Sequence, residues 1–414
     1  MNEQNQFSIP AGGSLNASEA GNKLRRRALG FVVLLGIVSL FADMTYEGAR
    51  SITGPFLLLL QASGAVVGFV AGLGELVGYG LRLASGYLAD RTRRYWGIAI
   101  FGYALNLLAV PALALAGSWQ VAALLMILER TGKAIRNPSR DVMLSHATGR
   151  IGRGFGFGLH EALDQIGAVL GPLLAAGVLS LGGSYPQAFA LLGVAAALAL
   201  LTLVAARITY PDPSQLEERA PLEGQGLGRA FWLYLAAAAL VAAGYADFPL
   251  IAFRLQKDAI APAAWVPVLY AIAMGVDALA ALAFGKMFDR FGLPVLAVVV
   301  VASAAFAPLV FLGGFSLVVV GMVCWGIGMG AQESILRAAI AELVPANRRG
   351  SAYGLFNAGY GLAWFLGSAL IGVLFDVSVG ALIAFSMGTQ LAAVPILLLS
   401  RRGMRVSKIA KSTS

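Results

Sequence analysis

The sequence predicts an all-α membrane protein, with about twelve transmembrane helices arranged as two pseudo-symmetric six-helix bundles. Three observations predict this class. Of the 414 residues, 58% are hydrophobic and only 12% are charged, where a soluble domain carries about 25% charge. Apolar runs near 20 residues follow one another along the chain, and about 20 residues of helix cross a bilayer core. Two motifs in the first half return in the second at nearly one offset. Lipid leaves no partner for an open backbone, so only helices or closed barrels can span it. The runs are continuous rather than alternating, which selects helices.

Taken in order, the apolar segments fall at 28–60, 64–88, 96–115, 119–145, 154–180 and 186–206, then at 229–254, 264–287, 294–312, 315–342, 350–375 and 379–400. The first is long because it includes Pro55 and an apolar tail, the outer end of a tilted helix. Connections alternate in charge. Lys23, Arg25, Arg26 and Arg27 precede the first segment; Arg91, Arg93 and Arg94 follow the second; Arg150 and Arg153 follow the fourth. Arg207, Arg219 and Arg229 flank the central connection, Lys286 and Arg290 follow the eighth segment, Arg348 and Arg349 the tenth, and the tail adds Arg401 and Arg402. The intervening connections offer only Lys257. Lysine and arginine gather in cytoplasmic loops, so both termini are expected in the cytoplasm of a multi-pass protein of the bacterial inner membrane.

The same rule accounts for the net charge of +9, so nucleic acid is not expected as a partner. Residues 1–22 are polar and rich in Gly, Ser and Asn and read as a disordered cytoplasmic tail with no cleavable signal peptide. The first bundle is expected over 23–207, a Pro- and Gly-containing cytoplasmic linker over 208–228, the second bundle over 229–402 and a short tail over 403–414. The single cysteine, Cys324, excludes an internal disulfide and a thiolate cluster, and His146 and His160 are the only imidazoles. No metal or cofactor is expected. No nucleophile–base set or phosphate-binding loop emerges, so the chain is not expected to be an enzyme.

The halves are related. An offset of 196 residues carries Arg153-Gly154, Gly158-Leu159, Ala162 and Leu170-Gly171 onto Arg349-Gly350, Gly354-Leu355, Ala358 and Leu366-Gly367. An offset of 199 carries Gly86 and Asp90-Arg91 onto Gly285 and Asp289-Arg290. A parallel repeat of this kind places a cavity at the repeat interface near mid-membrane.

This pattern resembles the major facilitator superfamily over nearly the whole chain. The stretch SGYLADRTRRY, Ser85 to Tyr95, matches that family's loop between helices two and three at Gly86, Leu88, Asp90, Arg91 and Arg94. Arg93 stands where the family usually has glycine, and Tyr95 where it is usually basic. The copy FGKMFDRFGLP keeps only the core of the motif. The resemblance implies a cytoplasmic gate built from Gly86, Asp90, Arg91, Arg94, Asp289 and Arg290. In segment four, ILERTGKAIRNPSRD, Arg130 matches the arginine of the helix-four motif, with Lys133 and Ala134 in place of its glutamine and glycine. In segment five, the spacing of Gly158, Gly167 and Gly171-Pro172 is similar to the helix-five signature of the drug/proton antiporter branches, although Ala175 and Ala176 replace a common Gly-Gly. The wording of segments four and five also resembles a subgroup of uncharacterised bacterial exporters, some linked to nickel or drug resistance. Nickel is not carried over, because the ligands are too few.

Charges within membrane segments face a wet cavity or one another and are functional candidates. Asp43 and Glu47, four residues apart, share a helix face, and Glu161 and Asp164 are three apart beside His160. With Glu129 these are the candidates for proton coupling. Glu129 and Lys133 are spaced to pair along one helix. Arg130, Lys133, Arg136 and His160 are expected to line a substrate cavity, together with Asn357, Tyr360 and Trp364 of segment eleven. Charge concentrates in the first half, so that half is expected to carry coupling. The leading expectation is proton-coupled efflux of a small molecule by alternating access in a monomeric antiporter. Uptake of an organic anion at Lys133 and Arg136 is the alternative, and a non-transporting sensor or scaffold the alternative of another class.

Overall fold

The computed structural model describes residues 12–211, 227–344 and 349–412. All regular structure among them is helical. The first half comprises α1 (Gly12–Leu59), α2 (Gly64–Thr92), α3 (Tyr95–Ala112), α4 (Trp119–Ile151), α5 (Arg153–Ser180) and α6 (Tyr185–Thr209). The second comprises α7 (Arg229–Gly244), α8 (Phe248–Lys257), α9 (Trp265–Phe291), α10 (Pro294–Ala304), α11 (Phe306–Leu312), α12 (Phe315–Leu343), α13 (Arg349–Val377) and α14 (Val379–Ser412). The pairs α7–α8 and α10–α11 each make one crossing.

Eleven crossings among the described residues qualify by length and apolarity. The helix α4 falls short because Glu129, Arg130, Lys133, Arg136, Arg140 and Asp141 fall within it. It nevertheless packs against α1, α2 and α3 as a full member of the bundle, giving the twelve crossings expected.

The helix ends depart from the expected domain boundaries. The first helix begins at Gly12, so 12–22, expected as a disordered tail, are helical. The last runs to Ser412, past the expected boundary at Arg402. A helix already nucleated in the bilayer extends at one hydrogen bond per added residue, without a new nucleus. Residues 1–11 of the tail, and 212–226, which make up most of the expected linker, lie outside the described residues.

The internal repeat is visible in packing. A Cβ on Gly171 of α5 would fall on the backbone of Met44 and Gly48 in α1. The residue 196 positions on, Gly367 of α13, has the same relation to Ala243 of α7. Close backbone approach at small residues holds membrane helices together where no hydrophobic drive exists.

Helix pairs that join the halves include α2 with α13, α1 with α8, and α5 with α9. The first is tight at the end remote from the termini. There a Cβ on Gly68 would meet Gly372, and the Asp376 carboxylate accepts from the backbone N–H groups of Gly64 (3.1 Å) and Ala65 (2.7 Å). The carboxylate thus completes hydrogen bonds that the first turn of α2 leaves open. A Cβ on Gly54 of α1 would fall on Pro249 and Phe253 of α8.

The crossing α7–α8 is interrupted at Tyr245, Ala246 and Asp247, between Gly244 and a helix with Pro249 near its start. Two of the carbonyls at the break take side-chain donors, which depth in a membrane favours. Gly244 accepts from Ser386 Oγ (2.6 Å) and Gln390 Nε2 (3.3 Å), and Ala246 from Trp325 Nε1 (2.9 Å). Tyr245 in turn donates to the Trp325 carbonyl.

Candidate functional site

The face of α1 carries Ser39, Asp43, Glu47 and Arg50 at steps of four, four and three, one helical stripe. The helix α4 carries Arg130, Lys133, Arg136 and Arg140 at steps of three, three and four. The two stripes run past each other in opposite directions and meet rung by rung. Arg140 donates to Ser39 Oγ at 3.3 Å. Arg136 lies 3.9 Å from Asp43, and Lys133 lies 3.9 Å from Glu47. The Lys133 ammonium also sits 3.6 Å above the Tyr46 ring, a cation–π contact that favours its charge. Tyr46 itself donates to Asp43 at 2.7 Å.

Beyond Glu47 the network widens. Glu75 of α2 receives Arg50 at 3.1 Å and Arg130 at 3.3 Å. Arg130 also contacts Glu129 at 3.4 Å, and Asn106 of α3 donates to Glu129 at 2.7 Å. The spacing-based Glu129–Lys133 pair is therefore not the one formed. Lys133 turns to Glu47 and Tyr46, while Glu129 is held by Asn106 and Arg130.

Two contacts carry the network into the second half. Arg50 reaches Asp247, in the break of the α7–α8 crossing, at 3.3 Å. Asp247 also accepts from Trp364 Nε1 (3.0 Å) and Ser368 Oγ (2.6 Å) of α13. Tyr270 of α9 donates to Glu47 at 2.5 Å. A small pocket opens beside these groups, with Arg50, Arg130, Glu75, Glu129, Asp247 and Tyr46 in its wall.

Of the other expected residues, Arg136 is wholly buried between Tyr103 (4.3 Å) and Tyr46 (5.8 Å) rather than at that pocket. His160 is buried, 3.2 Å from Ser39 and 3.6 Å from Asp164, which also lies 3.9 Å from Arg140. Glu161 is exposed. Tyr360 donates to Gln332 at 2.8 Å and packs edge-on to Tyr79, and Asn357 is half-buried beside it.

The expected gate residues Gly86, Arg91, Arg94, Asp289 and Arg290 lie at one end of the bundle. The charged ones are exposed, with no ion pair to the opposite half among the described residues, and the Asp90 side chain lies outside them. Gly86 faces Pro138 within its own half. Arg93, where the family usually has glycine, adopts a left-handed backbone with φ 55°, the conformation glycine takes without a Cβ penalty.

Arg50 was not singled out from the sequence, although its place three residues after Glu47 on one stripe marks it. Asp247 is likewise absent from the expected site residues. The partner that joins them lies 197 residues away, which no local pattern reveals.

The Major Facilitator Superfamily model matches residues 35–368. An uncharacterised protein of Mycobacterium tuberculosis (strain H37Rv) is 44% identical over 390 residues, 92% of this chain and 94% of that one. An uncharacterised MFS-type transporter of Methanocaldococcus jannaschii is 26% identical over 380 residues, 89% of this chain and 94% of that protein. The crystal structure of the peptide transporter POT in complex with sulfate shares the fold at TM-score 0.72 with 15% identity, over 90% of this chain and 94% of that one. With the family model spanning both halves and the twelve-crossing bundle around a buried ion network, the chain belongs to the Major Facilitator Superfamily of transporters.

Proposed function

We propose that the protein is a proton-coupled exporter of a small cationic or apolar molecule, working by alternating access as a monomer in the bacterial inner membrane with both termini cytoplasmic. The observation that carries this reading is the pair of cross-half contacts, Arg50–Asp247 and Tyr270–Glu47. They hold the halves together in one arrangement and must break in another, as a two-state transporter requires. A substrate or proton that competes for these groups biases that choice.

The pocket favours a cation over an anion. Its charged wall has two cations, Arg50 and Arg130, against three acids, Glu75, Glu129 and Asp247. The aromatic ring of Tyr46 adds a surface suited to a greasy cation. Asp43 and Glu47, held by Arg136 and Lys133, are the proton-coupling pair on this reading, with Glu129, Glu161 and Asp164 in support. Export rather than import rests on the helix-five glycine spacing, which packs α5 onto α1.

The test is flux of ethidium, a fluorescent lipophilic cation, in proteoliposomes with an imposed proton gradient. Ethidium should move against the proton flow, with matching proton release seen by a trapped pH dye. Asp43→Asn should abolish the gradient-driven component while the thermal unfolding curve stays intact. Gradient-driven flux unchanged in Asp43→Asn removes Asp43 from the mechanism, and a labelled organic anion moving in place of the cation overturns the substrate class.

A further inference from the structure

Asp43, Glu47, Glu75, Glu129, Asp164 and Asp247 each have a lysine or arginine within 4.0 Å. Asp277 of α9 does not, among the described residues. It is 2% exposed. Its Oδ2 receives one long hydrogen bond, from Gln165 Nε2 of α5 at 3.5 Å, and its Oδ1 has no partner.

From α12 comes Glu333, from α5 Glu161 and from α1 Glu47, all acids, and from the joint between α7 and α8 comes the phenol of Tyr245. The helix α10 brings no titratable residue. The cations of α8 are engaged elsewhere, Arg254 with the Val310 and Gly313 carbonyls and Lys257 with Asp376. On α9 itself, Lys286 and Arg290 are exposed at the far end of the helix.

An ionised carboxylate in such surroundings has, among the described residues, no counter-charge and one weak donor. Burial of a bare charge is far more costly than burial of the neutral acid. The position is also where the halves meet, because Gln165 belongs to the first and Asp277 to the second. Glu161, one turn from Gln165 on α5, and Glu333 of α12 are both exposed and within electrostatic reach of Asp277. They offer relay groups between water and the buried oxygen.

We propose that Asp277 is a proton-binding site of the second half, loaded while α5 and α9 are packed and emptied when they part. The step is a single proton transfer. Water, through Glu161 or Glu333, gives a proton to Oδ1 of Asp277, and the same bond breaks when the parted helices let water solvate the carboxylate. Packing of α5 on α9 is thereby linked to occupancy by one proton. This rests on the proton coupling proposed above and adds to the first-half acids a carrier in the second half, whereas coupling is expected from the first.

The test needs no substrate. Infrared difference spectra of the full chain in liposomes, recorded across a pH series in light and heavy water, report the C=O stretch of protonated carboxylic acids. The wild type should show a buried-acid band at neutral pH that Asp277→Asn loses and Asp258→Asn, at an exposed acid, keeps. If Asp277→Asn does not fold, Gln165→Leu serves, since removing the donor to Oδ2 seen among the described residues must shift the band. A band unchanged in both position and intensity in either variant overturns the proposal. If the band behaves as expected but no cation flux follows a proton gradient, the exporter reading fails and the proton site stands.

Discussion

The contact between Arg50 and Asp247 predicts a coupling energy that a double-mutant cycle can read. Two unit charges 3.3 Å apart attract by about 5 kcal/mol at an effective dielectric near 20. Two features reduce this. Arg50 keeps Glu75 at 3.1 Å when Asp247 is neutralised, and its side chain is 11% exposed to the pocket, where water screens it. Breaking one partner of a buried pair costs about 3–5 kcal/mol in general, so a coupling of about 3 kcal/mol is expected here. The cycle comprises wild type, Arg50→Gln, Asp247→Asn and the double variant, each followed by reversible unfolding in mixed micelles. Asp247→Asn alone should be the most destabilised, because the amide cannot accept from Trp364, Ser368 and Arg50 together. The double variant should lose less than the sum of the two singles. A coupling below about 0.5 kcal/mol, the level of an exposed pair, would mean that water already occupies the junction and would refute the account of this contact as a bond between the halves.

Three further outcomes are expected. Tyr270→Phe removes a hydrogen bond to a buried carboxylate and should cost about 1.5–3 kcal/mol in the same unfolding assay, with no loss if another donor reaches Glu47. Arg93→Gly relieves a left-handed backbone worth about 1–2 kcal/mol and adds about 0.5–1 kcal/mol of chain entropy, so a net gain near 0.5–1 kcal/mol should appear as a raised melting temperature. Gly171→Val and Gly367→Val push a side chain into the neighbouring helix backbone, which cannot move aside, and should each cost at least about 3 kcal/mol; equal losses at the two sites would match the repeat.

Much of the fold was legible because lipid enforces simple rules. Twelve apolar runs, the repeat at Gly171 and Gly367 and the charged helix α4 all follow from length, composition and spacing. The stripes on α1 and α4 were legible one at a time, since each is a periodicity. Their pairing was not. The expected Glu129–Lys133 pair is local, and a tertiary partner, Glu47 with the Tyr46 ring, displaced it. Arg50 with Asp247, and Gln165 with Asp277, join residues more than a hundred positions apart, and nothing in either neighbourhood names the other. The lengthened first and last helices were missed for a different reason: polar composition argues against burial, and a helix beyond the bilayer needs none.

The interruption at Tyr245–Asp247 divides one crossing between two owners. Its first piece, α7, packs on α13 and α14, while its second, α8, packs on α1. The crossing is therefore seated in both bundles, and a rotation of one bundle against the other would have to pass through a short unwound joint, where Trp325, Ser386 and Gln390 hold two of the carbonyls.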